Sequence, residues 1–175
     1  MIRSFEGRQP QLGPGAWVDE SAQVIGDVSL GEDASIWPLV TARGDVHRIV
    51  IGARSNVQDN CVLHVTHDGP YSPGGAPLMI GEDVTVGHGV LLHACTIGNR
   101  VLVGMGSIVL DGAVIEDDVF IAAGSLVPPG KRLTSGGLYR GRPATFARAL
   151  TEEERAQLRY SANHYVRVKA RHQGR

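Results

Sequence analysis

Cysteine is nearly absent. Cys61 and Cys95 are the only two in 175 residues and form no Cys-x-x-Cys pair, which excludes a disulfide framework. Basic residues form no block: 17 Lys and Arg stand against 18 Asp and Glu, for a net charge of −1. A nucleic-acid binder of this size would carry a basic stripe, so nucleic acid is not an expected partner. Long apolar runs are missing too. The longest nearly uncharged one, Val101 to Leu110, contains two glycines and is too short to span a bilayer, so no membrane partner is expected. Residues 1–20 lack the basic start and apolar run of a signal peptide, and a cytoplasmic location is expected. Aromatics reach only 5%, whereas glycine is abundant at 23 residues. That combination calls for an architecture that turns often and packs small aliphatics.

The chain repeats every six residues. Ile97, Val103, Val109, Ile115, Ile121 and Val127 are aliphatic and six apart, and a small or β-branched residue follows four on at Val101, Ser107, Ala113, Val119 and Ser125. The same beat runs through Val18, Val24, Leu30, Ile36 and Ala42, with Ala22, Val28, Ala34, Val40 and Val46 four on. It resumes at Ile51, Val57 and Leu63, and again at Ile80, Val86 and Leu92. A period of six fits neither an amphipathic helix nor an alternating strand. It fits a short strand plus a tight corner, where Gly or Asn takes the positive φ that other residues resist. Three hexapeptides close one triangular coil, and coils stack. The chain is read as one domain over 1–175. An all-β solenoid, a left-handed parallel β-helix of hexapeptide repeats, is expected over about 12–130. The beat stops after Pro129.

Breaks in the beat mark insertions. The step from Ala42 to Ile51 is nine, and the step from Leu63 to Ile80 is 17. The Gly- and Pro-rich excess predicts an outward loop over 66–79. Thr151 followed by Glu154 is a capping box, and Leu158, Ala162, Tyr165 and Val166 recur at helical spacing. A C-terminal α-helix is expected over 151–171, packed back along the prism as a polar cap.

The hexad register places three of the seven histidines. His64 follows Leu63 and His93 follows Leu92, so both occupy one slot on successive coils. Coils about 4.8 Å apart let two outward imidazoles share one ion at about 2.0–2.1 Å. His88, two residues after Val86, lies on another face and would reach the ion of a neighbouring chain. Three prisms around a threefold axis, a homotrimer, would complete each site. Three imidazoles and an open position are a catalytic pattern, suited to Zn2+ and also to Fe2+ or Co2+. Arg43 lies one coil below His64, with Asp45 two residues on, and the two could pair across the subunit boundary. Asn56, Gln58 and Asp59 surround Val57, below His88, and Gln58 is suited to orienting water or product. Cys61 and Cys95 read as packing. His47, His67, His164 and His172 read as surface residues, with His67, at the start of the outward loop, the one that proton transfer could use.

Arg43-Gly44-Asp45, Asn56-Val57-Gln58-Asp59-Asn60, His64 and His88-x4-His93 inside hexapeptide repeats resemble the gamma-class carbonic anhydrases. The likeness is closer to the compact bacterial carbonic-anhydrase-like proteins of that family and runs from Trp17 through Asn163. It implies Zn2+ or Fe2+ bound by His64 and His93 of one subunit and His88 of the next, in a homotrimer. It implies reversible hydration of CO2 to bicarbonate by a metal-bound hydroxide at the trimer interfaces. Gln58 and Asn56 would line the site, Arg43, Asp45 and Asp59 would belong to the interface, and Tyr160 and Asn163 would approach the metal from the final helix. Two features differ from the archaeal pattern: Val46 stands where a glutamate is found, and residues 66–79 hold a single acid, Asp68. External buffer is therefore expected to take up the released proton, and turnover to be weak. Two rivals stay open. One is an acyltransferase or coenzyme A thioesterase with a His general base and no metal. The other is a metal-bearing but inactive assembly subunit.

Overall fold

The six-residue beat becomes three flat faces. In the computed structural model, which describes residues 1–174, the chain winds as a left-handed parallel β-helix of hexapeptide repeats, followed by one helix. One face stacks Ile51, Ile80, Ile97, Ile115 and Leu133 in register. A second stacks Val18, Ile36, Val57, Val86, Val103, Ile121 and Tyr139. The third stacks Val24, Ala42, Leu63, Leu92, Val109 and Val127. All point inward and are buried except the half-buried Val18, so the core is a column of aliphatics that continues from coil to coil.

Corners hold the prism together, and one is not built as the sequence suggests. Asp33, Arg54, Asp83, Arg100 and Asp118 stack at a single corner with φ between +54° and +59°. The sequence reading reserves such positions for Gly or Asn, since the left-handed region costs other residues roughly 1–2 kcal/mol. Here alternating charge offsets the strain. Arg54 Nε donates to Asp83 Oδ1 at 2.7 Å and Arg100 Nε donates to Asp118 Oδ1 at 2.8 Å. Just before this corner, Gly31, Gly52, Gly81 and Gly98 let successive coils touch backbone to backbone. A Cβ on Gly52 would stand 2.4 Å from the carbonyl of Gly81.

The expected boundaries need four corrections. The coil stack begins before residue 12: Ile2–Arg3 already pairs with Val24–Ile25. It also runs past 130, because Leu133 and Tyr139 keep the six-residue beat and pair with Ile115 and Ile121. Val46 is not an inward residue. Asp45 to Arg48 stand opposite the single residue Asp27, and this insertion pushes Val46 out while Ile49 takes the buried slot opposite Val28. The outward loop ends two residues early, since buried Leu78 opens the strand Leu78–Ile80. Within the loop, Thr66 bridges Ala76 and Gly69 bridges Ser72.

After the last coil, Gly137–Gly141 and Ala144–Ala149 form an antiparallel hairpin that the hexad pattern does not reveal. Helix α1 (Glu152–His172) then begins on the expected capping box. Thr151 Oγ1 accepts from the Glu154 N–H at 3.2 Å, and Glu154 Oε2 accepts from the Thr151 N–H at 2.9 Å. It lies against the second face with Leu158, Ala162 and Lys169 buried. Its far end reaches the opening coils: Lys169 Nζ donates to Gly15 O at 2.6 Å and pairs with Asp33 Oδ1 at 2.5 Å. Among the described residues no helix is long and apolar enough to cross a membrane.

The backbone contact at Gly52 leaves no space for a methyl group. Gly52→Ala should lower stability by about 1–3 kcal/mol, the cost of overpacking a rigid contact. Thermal unfolding checks this, with Gly69→Ala in the outward loop as the comparison, where φ is not positive and an added Cβ meets only the exposed His67 ring, at 3.2 Å.

Candidate metal centre

Parallel pairing of Val62–His64 with Leu91–His93 sets His64 and His93 directly opposite one another. Leu63 and Leu92 point into the core, so the imidazoles that follow them point out. His64 Nδ1 lies 3.1 Å from His93 Nε2. The outer nitrogen of each ring faces a carboxylate: His64 Nε2 lies 3.1 Å from Asp45 Oδ1, and His93 Nδ1 lies 2.7 Å from Asp111 Oδ1.

These contacts decide where the protons sit. An ionised carboxylate only accepts, so each outer nitrogen donates and the two inner nitrogens keep their lone pairs. Burial favours the uncharged form and pulls the His64 pKa down, more than Asp45 raises it. Two lone pairs facing at 3.1 Å repel unless a cation lies between them. Two imidazoles on a tetrahedral ion at 2.0–2.1 Å would have nitrogens about 3.3 Å apart, so the pair fits a metal with little movement.

The supporting charges lie within one chain. Arg43 forms an ion pair with Asp45 of the same chain. The two side chains emerge two residues apart on one strand and meet on its outer face. Burial alone would raise the Asp45 carboxyl, but hydrogen bonds from Arg43 and His64 hold it below its ordinary value. Asp111 is likewise lowered: burial opposes this, and hydrogen bonds from Thr66 and His93 prevail. Sequence reasoning missed Asp111. The only signal is its distance of 18 residues from His93, one full coil, blurred by the slip between Leu92 and Ile97.

The third histidine stands apart. His88 is exposed on the second face, and its Nδ1 lies 2.8 Å from Asp59 Oδ2. Asp59 thus orients His88. His64, His88 and His93 each have a carboxylate partner, and among the described residues the other four histidines form no such pair. No three His, Cys, Asp or Glu side chains among the described residues converge on one metal position. Cys61 and Cys95 are buried, and burial pushes both thiols up to about 12, which keeps them protonated.

Gln58 and Asn56 belong to the side of His88. Gln58 Nε2 donates to Asn56 Oδ1 at 3.1 Å, Asn56 Nδ2 donates to Thr85 Oγ1 at 3.1 Å, and Thr85 Oγ1 donates to Ser161 Oγ at 3.0 Å. Gln58, His88, Ser161 and Tyr165 line a cavity of about 360 Å³ with Leu102, Met105 and Phe120 as apolar wall. Tyr160 and Asn163 are not in it. Tyr160 is exposed and stacks on His164 at 5.9 Å, and Asn163 Nδ2 donates to Arg159 O of its own helix. Helical phase explains the exchange. Leu158 and Ala162 define the stripe that meets the prism, so Ser161 and Tyr165 face the cavity while 160 and 163 turn away.

A parallel β-helix with register-paired outward imidazoles defines the class: a hexapeptide-repeat protein with outward histidines on two of its faces. The comparisons agree. The model of the bacterial transferase hexapeptide (six repeats) matches residues 94–129. Protein YrdA of Escherichia coli K12 is 62% identical over 97% of this chain and 92% of its own length. Gamma carbonic anhydrase 2, mitochondrial, of Arabidopsis thaliana is 42% identical over 92% of this chain, which spans 58% of the plant protein. The crystal structure of a hexapeptide transferase family protein from Anaplasma phagocytophilum superposes with a TM-score of 0.88 at 44% identity, covering 97% of this chain and 96% of that one. The chain belongs to the hexapeptide-repeat transferase family.

Both supporting carboxylates titrate below their ordinary value of 3.8, so the unfolded chain binds more protons than the fold in that range. The stability they contribute is complete above about pH 4 and drains away as pH falls through the lowered values. Thermal unfolding followed from about pH 5 to about pH 3 should fall less steeply in Asp45→Asn than in the wild type.

Proposed function

We propose that this protein is a gamma-class carbonic anhydrase, a homotrimer that hydrates CO2 reversibly to bicarbonate at sites shared between neighbouring subunits. The donor set carries the reading: three imidazoles, each with one nitrogen held by a carboxylate and the other bare. Two meet across adjacent coils, and the third stands on another face. Similarity to the plant carbonic anhydrase supports it, as does the frequency of trimers among hexapeptide-repeat β-helices. Zn2+, with Fe2+ and Co2+ also suited, would be held by His64 and His93 of one chain and His88 of the next. Such an ion supplies the Lewis acidity that brings the pKa of water from 15.7 to about 7.

The chain's own residues orient and exclude. Asp45, Asp59 and Asp111 fix the rings so that the bare nitrogens converge, and Arg43 keeps Asp45 ionised. Asn56 holds the Gln58 amide, leaving one N–H to donate to an oxygen of CO2 or bicarbonate and the carbonyl to accept from water or the bicarbonate hydroxyl. The ladder through Thr85 to Ser161 ties that amide to helix α1. Leu102, Met105 and Phe120 give apolar CO2 a dry wall. Tyr160 and Asn163 have no part in this reading. Acyl transfer is the second reading, favoured by the family's transferases and by a cavity larger than CO2 requires. Tight coenzyme A binding by calorimetry, with no CO2 hydration, would select it.

Metal content, sedimentation and CO2 hydration measured on one anaerobic preparation test the proposal. Gln58→Ala should keep metal and mass while the rate drops about 10–1,000-fold, the loss of one preorganised hydrogen bond. His93→Ala should lose both metal and rate. Mixing His88→Ala with His64→Ala chains should regenerate sites, because in every mixed trimer one boundary unites an intact pair with an intact His88. A fully metallated wild type that hydrates no CO2 would overturn the reading.

A further inference from the structure

Hydration releases a proton that must leave the site: CO2 and water give bicarbonate and H+. The acids of the outward loop do not supply a carrier, since residues 66–79 hold only Asp68, whose Oδ1 accepts from the Gly74 N–H at 2.7 Å and stays in the loop. The geometry points to His67 as the proton-transfer residue, an inference that rests on the carbonic anhydrase reading above.

His67 is exposed on the first arm of the loop hairpin, anchored beside the site by the Thr66–Ala76 bridge. Two cavities meet at it. One, of about 360 Å³, is lined by Phe5, Glu6, Arg8, Asp45, Val46 and His67, and Glu6 touches this cavity alone. The other, of about 340 Å³, is lined by Asp111, Thr66, Tyr71 and His67. His67 is the residue the two share. Asp45 and Asp111 are the carboxylates at the two ends of the His64–His93 pair, so each cavity reaches one margin of that pair. The space on the Asp45 side is mostly polar, and the one on the Asp111 side is more apolar but carries Asp111, Thr66 and Ser72. Each is large enough for several waters, each of which occupies about 30 Å³ in the liquid. An imidazole exchanges protons readily near neutral pH and can turn to face either cavity. The released proton crosses cavity water to a His67 ring nitrogen. From there it passes to a buffer base in bulk solvent, and neutral His67 is restored.

His67→Ala, an exposed position outside the metal-binding set, is the test. Metal stoichiometry and trimer mass should be unchanged. kcat in dilute buffer should fall about 10–100-fold while kcat/KM holds, and free imidazole or concentrated buffer should restore kcat. A second readout is independent of turnover: a crystal structure should show ordered water joining His67 to Asp45 and to Asp111. A wild type without hydration activity would defeat the carbonic anhydrase reading itself. An active wild type whose kcat depends on buffer as steeply as that of His67→Ala, or dry cavities beside His67, would overturn this inference alone.

Discussion

Vertical register is the constraint on which this molecule depends. Each backbone N–H on a face donates to the coil beside it, so a residue's height and face are fixed once its place in the hexad is known. Close backbone approach at Gly31, Gly52, Gly81 and Gly98 keeps that stacking tight, and the aliphatic column inside tolerates no slip that would turn a face outward. The same register that buries Leu63 over Leu92 brings His64 against His93. The meeting of these two imidazoles is therefore a by-product of core packing, set by residues that point away from them.

The face assignment, the shared slot of His64 and His93, the separate face of His88 and the helix cap were legible because each follows from spacing alone. What escaped the sequence depends on direction. The carboxylate behind each of His64 and His93 is an example, since spacing alone does not aim Asp45 at one ring and Asp111 at the other. Asp111 was hidden because its coil is offset by the short step after Leu92. Ser161 and Tyr165 escaped because helical phase turns them toward the prism. Leu133 and Tyr139 continue the beat but follow Pro128 and Pro129 and are flanked by charge, which masks them. The corner of Asp and Arg at positive φ was illegible for another reason: it is stabilised by partners one coil away, not by the local preference of each residue.

The three imidazoles share one local design. Each has a carboxylate at its back, and the carboxylate is held in turn: Asp45 by Arg43, Asp111 by Thr66. Such partners choose the tautomer and stiffen the ring, so the bare nitrogen is presented without a search through rotamers. On the other side, burial holds the Gln58 amide and the ladder to Ser161 at fixed height. The two groups stand on different faces of one prism, and among the described residues they do not meet within one chain.

Helix α1 changes what kind of solid this is. A stack of repeats is nearly one-dimensional, held by nearest neighbours, and can fray from either end. Here Arg155, near the start of the helix, lies against Gly136 of the last coil, while Lys169 is anchored to Gly15 and Asp33 of the first ones. The helix is a clasp between the ends of the spool. Opening the first coil strips a buried ammonium of its partners, and opening the last loosens the root of the same clasp. The coils between them are therefore bound into a single cooperative unit, whose melting resembles that of a closed globule more than the unravelling of an array.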